Sequence, residues 1–182
     1  MSGSGAGGPG GRLPRFGRRR AEQPPLPAEP GERVLAWATG PDGVAAGGTR
    51  DALLVRRPGD PDLRLPWQEV EAADWDAEAE LLRVVEVGTF GLERPEHLLR
   101  LEEPARLLQL VRERVTASIV LQRHVAVHDG RGLTVLGRRA PSGRGGLAWF
   151  HRYDPGVDPD DPAVRRAADA ATEAARAEVG DL

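Results

Sequence analysis

Two of the chain's four histidines, His124 and His128, stand four residues apart in the stretch RHVAVHDG, Arg123 to Gly130. On a helix that spacing puts two imidazoles about 6 Å apart on one face, where both could ligate a single metal ion. On a strand the same four residues span roughly 13 Å, too far for two metal–nitrogen bonds of about 2 Å. The neighbours decide between the two. Val125 and Val127 alternate with His124, Ala126 and His128, and Asp129-Gly130 follows as a hairpin turn. The stretch therefore reads as a strand, valines inward and histidines on the polar face. His151, on a later strand, is the group through which one of the pair, His128 first, could still complete a site. The matching catalytic alternative is an acid–base set of His128, His151 and Asp154.

Other candidates thin out in the same way. EVEAADWDAEAE holds Glu69, Glu71, Asp74, Asp76, Glu78 and Glu80 around a turn between two strands. Paired carboxylates do acid–base work when one is buried, but alternation places most of these on the solvent side, where charge protects a strand edge. DPGVDPDDP offers Asp154, Asp158, Asp160 and Asp161 as hard oxygen ligands. It lacks the ligand periodicity of a calcium loop, and Asp161 before Pro162 reads as a helix N-cap. Gly43, Gly48 and Thr49 match a phosphate loop in part, without its Lys. Ser142 lies in the turn PSGRGG, and the chain has no Cys for a nucleophile, a disulfide or a thiolate ligand. Trp37, Trp67, Trp75 and Trp149 each sit beside aliphatics and read as packing residues. No catalytic, cofactor or metal site is assigned, and the expectation is a protein that is not an enzyme.

Composition points the same way. All 25 basic residues are Arg, with no Lys, and Ala, Gly and Pro abound; such a bias follows from GC-rich codons. Residues 1–20 carry five Arg and no acid, whereas residues 21–150 hold 16 Arg and 20 acids. A nucleic-acid-binding domain is basic in its folded part, so DNA and RNA are not expected partners. No run of about 18 apolar residues is present to cross a membrane. The opening MSGSGAGGPGG lacks the apolar segment of a secretory signal, and the expected location is the cytoplasm. Residues 1–31, rich in Gly, then Arg, then Pro, cannot bury enough apolar surface to offset chain entropy and are expected to be disordered. Within them Arg12, Arg15, Arg18, Arg19 and Arg20, with Phe16, form a candidate contact for an anionic membrane surface.

The elements that must position these groups begin at Glu32. Strand patterns cover 32–39, 44–48, 52–57, 64–76, 79–87 and 96–102, punctuated by GPDG and PGDPD turns. Then the period changes. Over 104–122, Leu107, Leu108, Val111, Val115 and Ile119 recur at helical spacing, and the β-branched second half makes the end near residue 120 soft. Three more strands follow at 123–128, 133–140 and 147–154. An Ala-rich helix over 160–179 closes the chain with Val164, Ala168, Ala171 and Ala175 as its inward stripe.

Six short strands followed by one amphipathic helix resemble pleckstrin-homology-like (PH-like) barrels. GVAAGGTRDALLVRR and RLPWQEVEAADWD resemble bacterial members in their "turn, Arg, Asp, leucines" hairpin and Leu-Pro-Trp strand opening. The span 32–178 also resembles a conserved hypothetical actinobacterial family through GERVLAWA, LPWQEVEAADW, VRERVTASIVLQRHV and YDPGVDPDDPAV. One departure is the Gly pair of VAAGG, where bacterial members carry β-branched residues. The resemblance implies a mainly β, α+β fold: a PH-like antiparallel barrel or sandwich (32–103) closed by helix 104–121, together the core 32–122. An added three-strand meander (123–154) and the C-terminal helix (160–179) complete one folded unit, 32–179, with a shared core. It implies no active site. The functional expectation is a non-enzymatic cytoplasmic interaction module whose ligand is a protein or a second copy, such barrels offering sheet edges and a groove beside the closing helix. The alternatives are a membrane-surface adaptor using residues 12–20 and an enzyme using the His/Asp set.

Overall fold

The computed structural model describes residues 26–88 and 94–180. Seven short strands come first: β1 (Ala36–Thr39), β2 (Ala45–Gly48), β3 (Ala52–Arg56), β4 (Leu63–Pro66), β5 (Val70–Asp76), β6 (Leu81–Glu86) and β7 (Glu96–Arg100). Helix α1 (Ala105–Ser118) follows, then β8 (Ile119–His128), β9 (Arg131–Arg138), β10 (Ala148–Tyr153) and helix α2 (Pro162–Val179). The strands form three antiparallel sheets, ordered β1-β2-β3-β4, β5-β6-β7 and β10-β9-β8. A bridge between Thr39 and Glu102 ties the edge of the first sheet to the end of β7. Among the described residues the fold is therefore mainly β with two α-helices.

RLPWQEVEAADWD, expected as one strand, is two strands in different sheets. Pro66 ends β4, since it has no N–H to carry a ladder onward, and a 3-10 turn at Trp67–Glu69 redirects the chain into β5. The edge position that Pro implied is observed, with β4 the outer strand of its sheet. The Gly pair in VAAGG does not break its strand: all four residues of β2 are buried. A Cβ on Gly48 would lie 2.5 Å from Leu110 Cδ2 and 3.1 Å from Trp67 Cζ2. Glycine is there because α1 and Trp67 press directly on the β2 backbone.

The buried apolar residues gather in two clusters. The first gathers Leu53, Val55, Leu65, Trp67, Leu82, Leu99, Leu107 and Val111, among others, between the first two sheets and α1. The second joins Leu133 and Val135 of β9 to Val164, Ala168, Ala171 and Ala175 of α2, the stripe read from the sequence. Helix α1 also differs from expectation. It ends at Ser118, whose hydroxyl donates to Val115 O at 2.7 Å, and Ile119 begins β8 and is 37% exposed. Two consecutive β-branched residues, Ile119 and Val120, favour extended backbone here. Leu107, Leu110 and Val111 face the core, while Leu108 and Val115 are only partly covered.

The TRD turn before β3 is held by one hydroxyl. Thr49 is fully buried; its Oγ1 donates to Glu32 Oε1 at 2.5 Å and accepts from Ala52 N at 3.1 Å. Glu32 also pairs with Arg64 at 3.1 Å. Burial pushes the Glu32 carboxyl up, but hydrogen bonds from Thr49 and the Glu29 N–H, together with the Arg64 guanidinium, outweigh it and hold the group below its ordinary value. A lowered folded value means a stabilisation fully present above the ordinary carboxylate range and lost as pH falls through the folded value. Thr49→Val is expected to cost about 1–3 kcal/mol at neutral pH. Urea unfolding of the two proteins should show that difference shrinking in acid, where Glu32 is protonated in both.

Candidate functional site

A concavity lies between β5 and α1, with a volume of about 400 Å³, within the roughly 300–1,000 Å³ range of ligand pockets. Its helix wall is Leu108, Val111, Arg112, Val115 and Thr116, residues one turn apart on one face of α1. Ala73, Asp74 and Trp75 of β5 form the opposite wall, and Leu82 of β6 lies beneath. The groove follows from the offset of the helix stripe: Leu107 and Leu110 seat α1 on the core, which leaves Leu108 and Val115 to line an open side.

β5 is an edge strand of its sheet, and the neighbouring ladder fixes its hydrogen-bonding directions. Leu101 N donates to Glu80 O and Glu86 N donates to Pro95 O. These bonds set the β6–β7 ladder on the even-numbered residues of β6, so its odd-numbered residues bond β5. In the observed register Leu81, Arg83 and Val85 oppose Asp76, Asp74 and Ala72. The alternating residues Ala73 and Trp75 therefore turn their N–H and C=O groups away from β6, at the open edge of the sheet. Among the described residues no backbone bond completes them. A groove lined by both apolar and polar side chains, beside an open strand edge, is an arrangement that can accept an added strand.

The third sheet braces this strand at its start. Arg138, 3% exposed, donates through Nη1 to Val70 O, the first residue of β5, while its Nε has no protein partner. Desolvation pulls the guanidinium below its ordinary value, partly opposed by nearby Glu71. Arg139 N donates to Ser118 O, and Ser142 N donates to Asp51 Oδ1. β9 and the loop after it thus hold the end of α1, the start of β5 and the TRD turn together.

The histidines are dispersed. β8 carries His124 and His128 on a strand, as its alternation requires, and Asp129 and Gly130 at φ 47° and 77° make the two-residue turn into β9. His124 Nε2 lies 2.9 Å from Asp154 Oδ2, which also accepts from Gly132 N at 2.8 Å. His128 lies 3.5 Å from Asp161, the N-cap of α2, whose Oδ1 accepts from Ala163 N at 2.7 Å. His151 bonds Thr172 on α2 at 2.7 Å, and His97 bonds Glu86 at 2.6 Å. His128, His151 and Asp154 each take a different partner, so the set needed for the catalytic alternative is not assembled. Among the described residues no three His, Asp or Glu side chains are placed to hold a metal. The hydrogen bonds from His124 and Gly132 hold Asp154 below its ordinary value, and the Ala163 N–H does the same for Asp161. These carboxylates fasten turns.

The acids of 69–80 also have clear places. Glu71 pairs with Arg94 at 2.9 Å, and Asp76 Oδ1 accepts from Glu78 N and Ala79 N at the hairpin tip. Asp74, Asp76, Glu78 and Glu80 are exposed, the first two on β5 and the others in the hairpin tip that follows it. Arg12, Arg15, Arg18, Arg19 and Arg20 lie outside the described residues. Among the described residues no helix is long and apolar enough to cross a membrane. Comparison with protein-family models, curated proteins and solved structures gives no match for this chain.

Proposed function

We propose that the chain is a non-enzymatic, cytoplasmic interaction module that takes an extended protein segment by strand addition to β5, in the groove beside α1. The observation that carries this reading is the outward direction of the Ala73 and Trp75 backbone groups at the open edge of β5, the strand that walls the groove. Main-chain bonds would supply affinity, and the partly covered Leu108 and Val115 would select apolar side chains on alternate residues of the ligand. A PH-like reading of residues 32–122 accompanies the proposal. Its support is the succession of a four-stranded sheet, a three-stranded sheet and a closing helix.

Ala73→Pro tests it with little cost to the fold, because the N–H it removes points away from β6 and an edge strand tolerates proline. Peptides selected on the protein from a random display library are expected to lose at least tenfold in affinity for Ala73→Pro, the scale of one lost main-chain bond. The thermal midpoint should stay within a few degrees. A library that yields no groove-directed peptide, or peptides indifferent to Ala73→Pro, would remove the proposal.

A further inference from the structure

We infer that the groove selects an extended protein segment carrying an acidic side chain, an Asp or Glu that docks on Arg112. This rests on the strand-addition reading and names the class of segment taken. The first observation is charge. Two charged residues line the groove, Asp74 and Arg112. Asp74 opposes Arg83 in the β5–β6 register and lies 3.7 Å from its guanidinium. Its neighbours Ala73 and Trp75 pack on the first apolar cluster, so strand alternation turns the Asp74 carboxylate to the other face of the sheet. Arg112 is not answered in this way. The positions three and four residues away on α1 hold Leu108, Gln109, Val115 and Thr116, so its own helix supplies no acid. Among the described residues Arg112 makes no side-chain hydrogen bond or ion pair. A forked cation at the lip of the groove is thus left for a carboxylate from outside.

The second observation is spacing. Leu108, Arg112 and Thr116 form one row of the helix wall, at steps of four residues or about 6 Å. Same-face residues of an extended chain stand about 6.7 Å apart. A strand added to β5 with one face of its pleat toward α1 would meet that row in step. An apolar side chain would lie at Leu108, a carboxylate two residues along at Arg112, and a small polar group two further at Thr116. Asp76, Glu78 and Glu80 on the neighbouring hairpin oppose an acidic ligand. Salt screens such repulsion over about 8 Å, whereas the Arg112 contact is made at hydrogen-bond distance, so the contact decides.

The test uses the full chain, a random display library, and synthetic peptides with both ends capped, so that a carboxylate comes only from a side chain. Arg112→Gln and Arg112→Glu place good helix formers at an exposed helix position and keep the fold. Peptides selected on the parent are expected to hold Asp or Glu two residues from an apolar residue. Replacing that acid by its amide should weaken binding to the parent about fivefold, at the upper end for a partly exposed charge pair. On Arg112→Gln the same replacement should change affinity by less than about twofold, the pair being already broken. Selection on Arg112→Glu should put Arg or Lys where the acid stood. Peptides that lose affinity on Ala73→Pro but show no acid preference, or an equal acid-to-amide loss on Arg112→Gln, would overturn the inference and leave strand addition standing. A library without peptides sensitive to Ala73→Pro would remove the strand-addition reading, and this inference with it.

Discussion

Trp67→Ala is expected to cost about 3–5 kcal/mol, the range for deleting a fully buried large aromatic side chain. Trp67 is completely buried in the first apolar cluster, and its Nε1 donates to Thr49 O at 3.2 Å. Truncation removes the side chain that Gly48 is shaped to receive and leaves the Thr49 carbonyl without its donor inside the core. Against a total stability of roughly 5–15 kcal/mol, such a loss brings the variant close to unfolding at room temperature. Trp67→Phe keeps most of the apolar volume and drops only the hydrogen bond, so it should cost distinctly less. Urea unfolding followed by far-UV circular dichroism measures both. A Trp67→Ala protein within about 1 kcal/mol of the parent would contradict a core centred on this residue.

Gly48→Val is the second large effect, and here strand propensity and packing oppose each other. Valine is among the best strand formers, worth up to about 1 kcal/mol in a sheet. A Cβ at this position, however, would sit 2.5 Å from Leu110 and 3.1 Å from Trp67. Two further methyl groups must then lift α1 from the sheet, and overpacking of this kind costs about 1–3 kcal/mol. Packing wins, and the substitution is expected to destabilise. Because Leu110 sits on the helix that walls the groove, the displacement should also weaken peptide binding, whereas Ala73→Pro acts on binding alone. A stabilised Gly48→Val protein would show that α1 does not bear on β2 as described.

Most elements were legible because their patterns are local. The alternation around His124 and His128, the Asp129-Gly130 turn and the Asp161-Pro162 helix start are short-range signals, and the structure shows each in place. What escaped the sequence depended on tertiary packing. RLPWQEVEAADWD has strand-like residues throughout, and only the neighbouring sheets decide that Pro66 ends one strand and Val70 begins another. Ile119 continues a helical spacing but falls on the strand side of Ser118, whose carbonyl is taken by Arg139 N from β9. The groove was legible only as a family expectation, a site beside the closing helix. Its specific signal was the breadth of the α1 stripe: Leu107, Leu108, Leu110, Val111 and Val115 are more apolar residues than one buried face can use. The direction of the Ala73 and Trp75 amides depends on the β6–β7 register, which no single-strand pattern encodes.

Amide hydrogen exchange on the full chain, with and without a saturating library-selected peptide, tests strand addition most directly. Bonding to an added strand closes amides that are open in the free edge. The expected result is slowed exchange at Ala73 and Trp75, with smaller changes along Leu108–Thr116 and none at the long edge strand β8. Protection that appears on β8, or at Ala72 and Asp74 while Ala73 and Trp75 stay open, would contradict the assignment of β5 as the receiving strand.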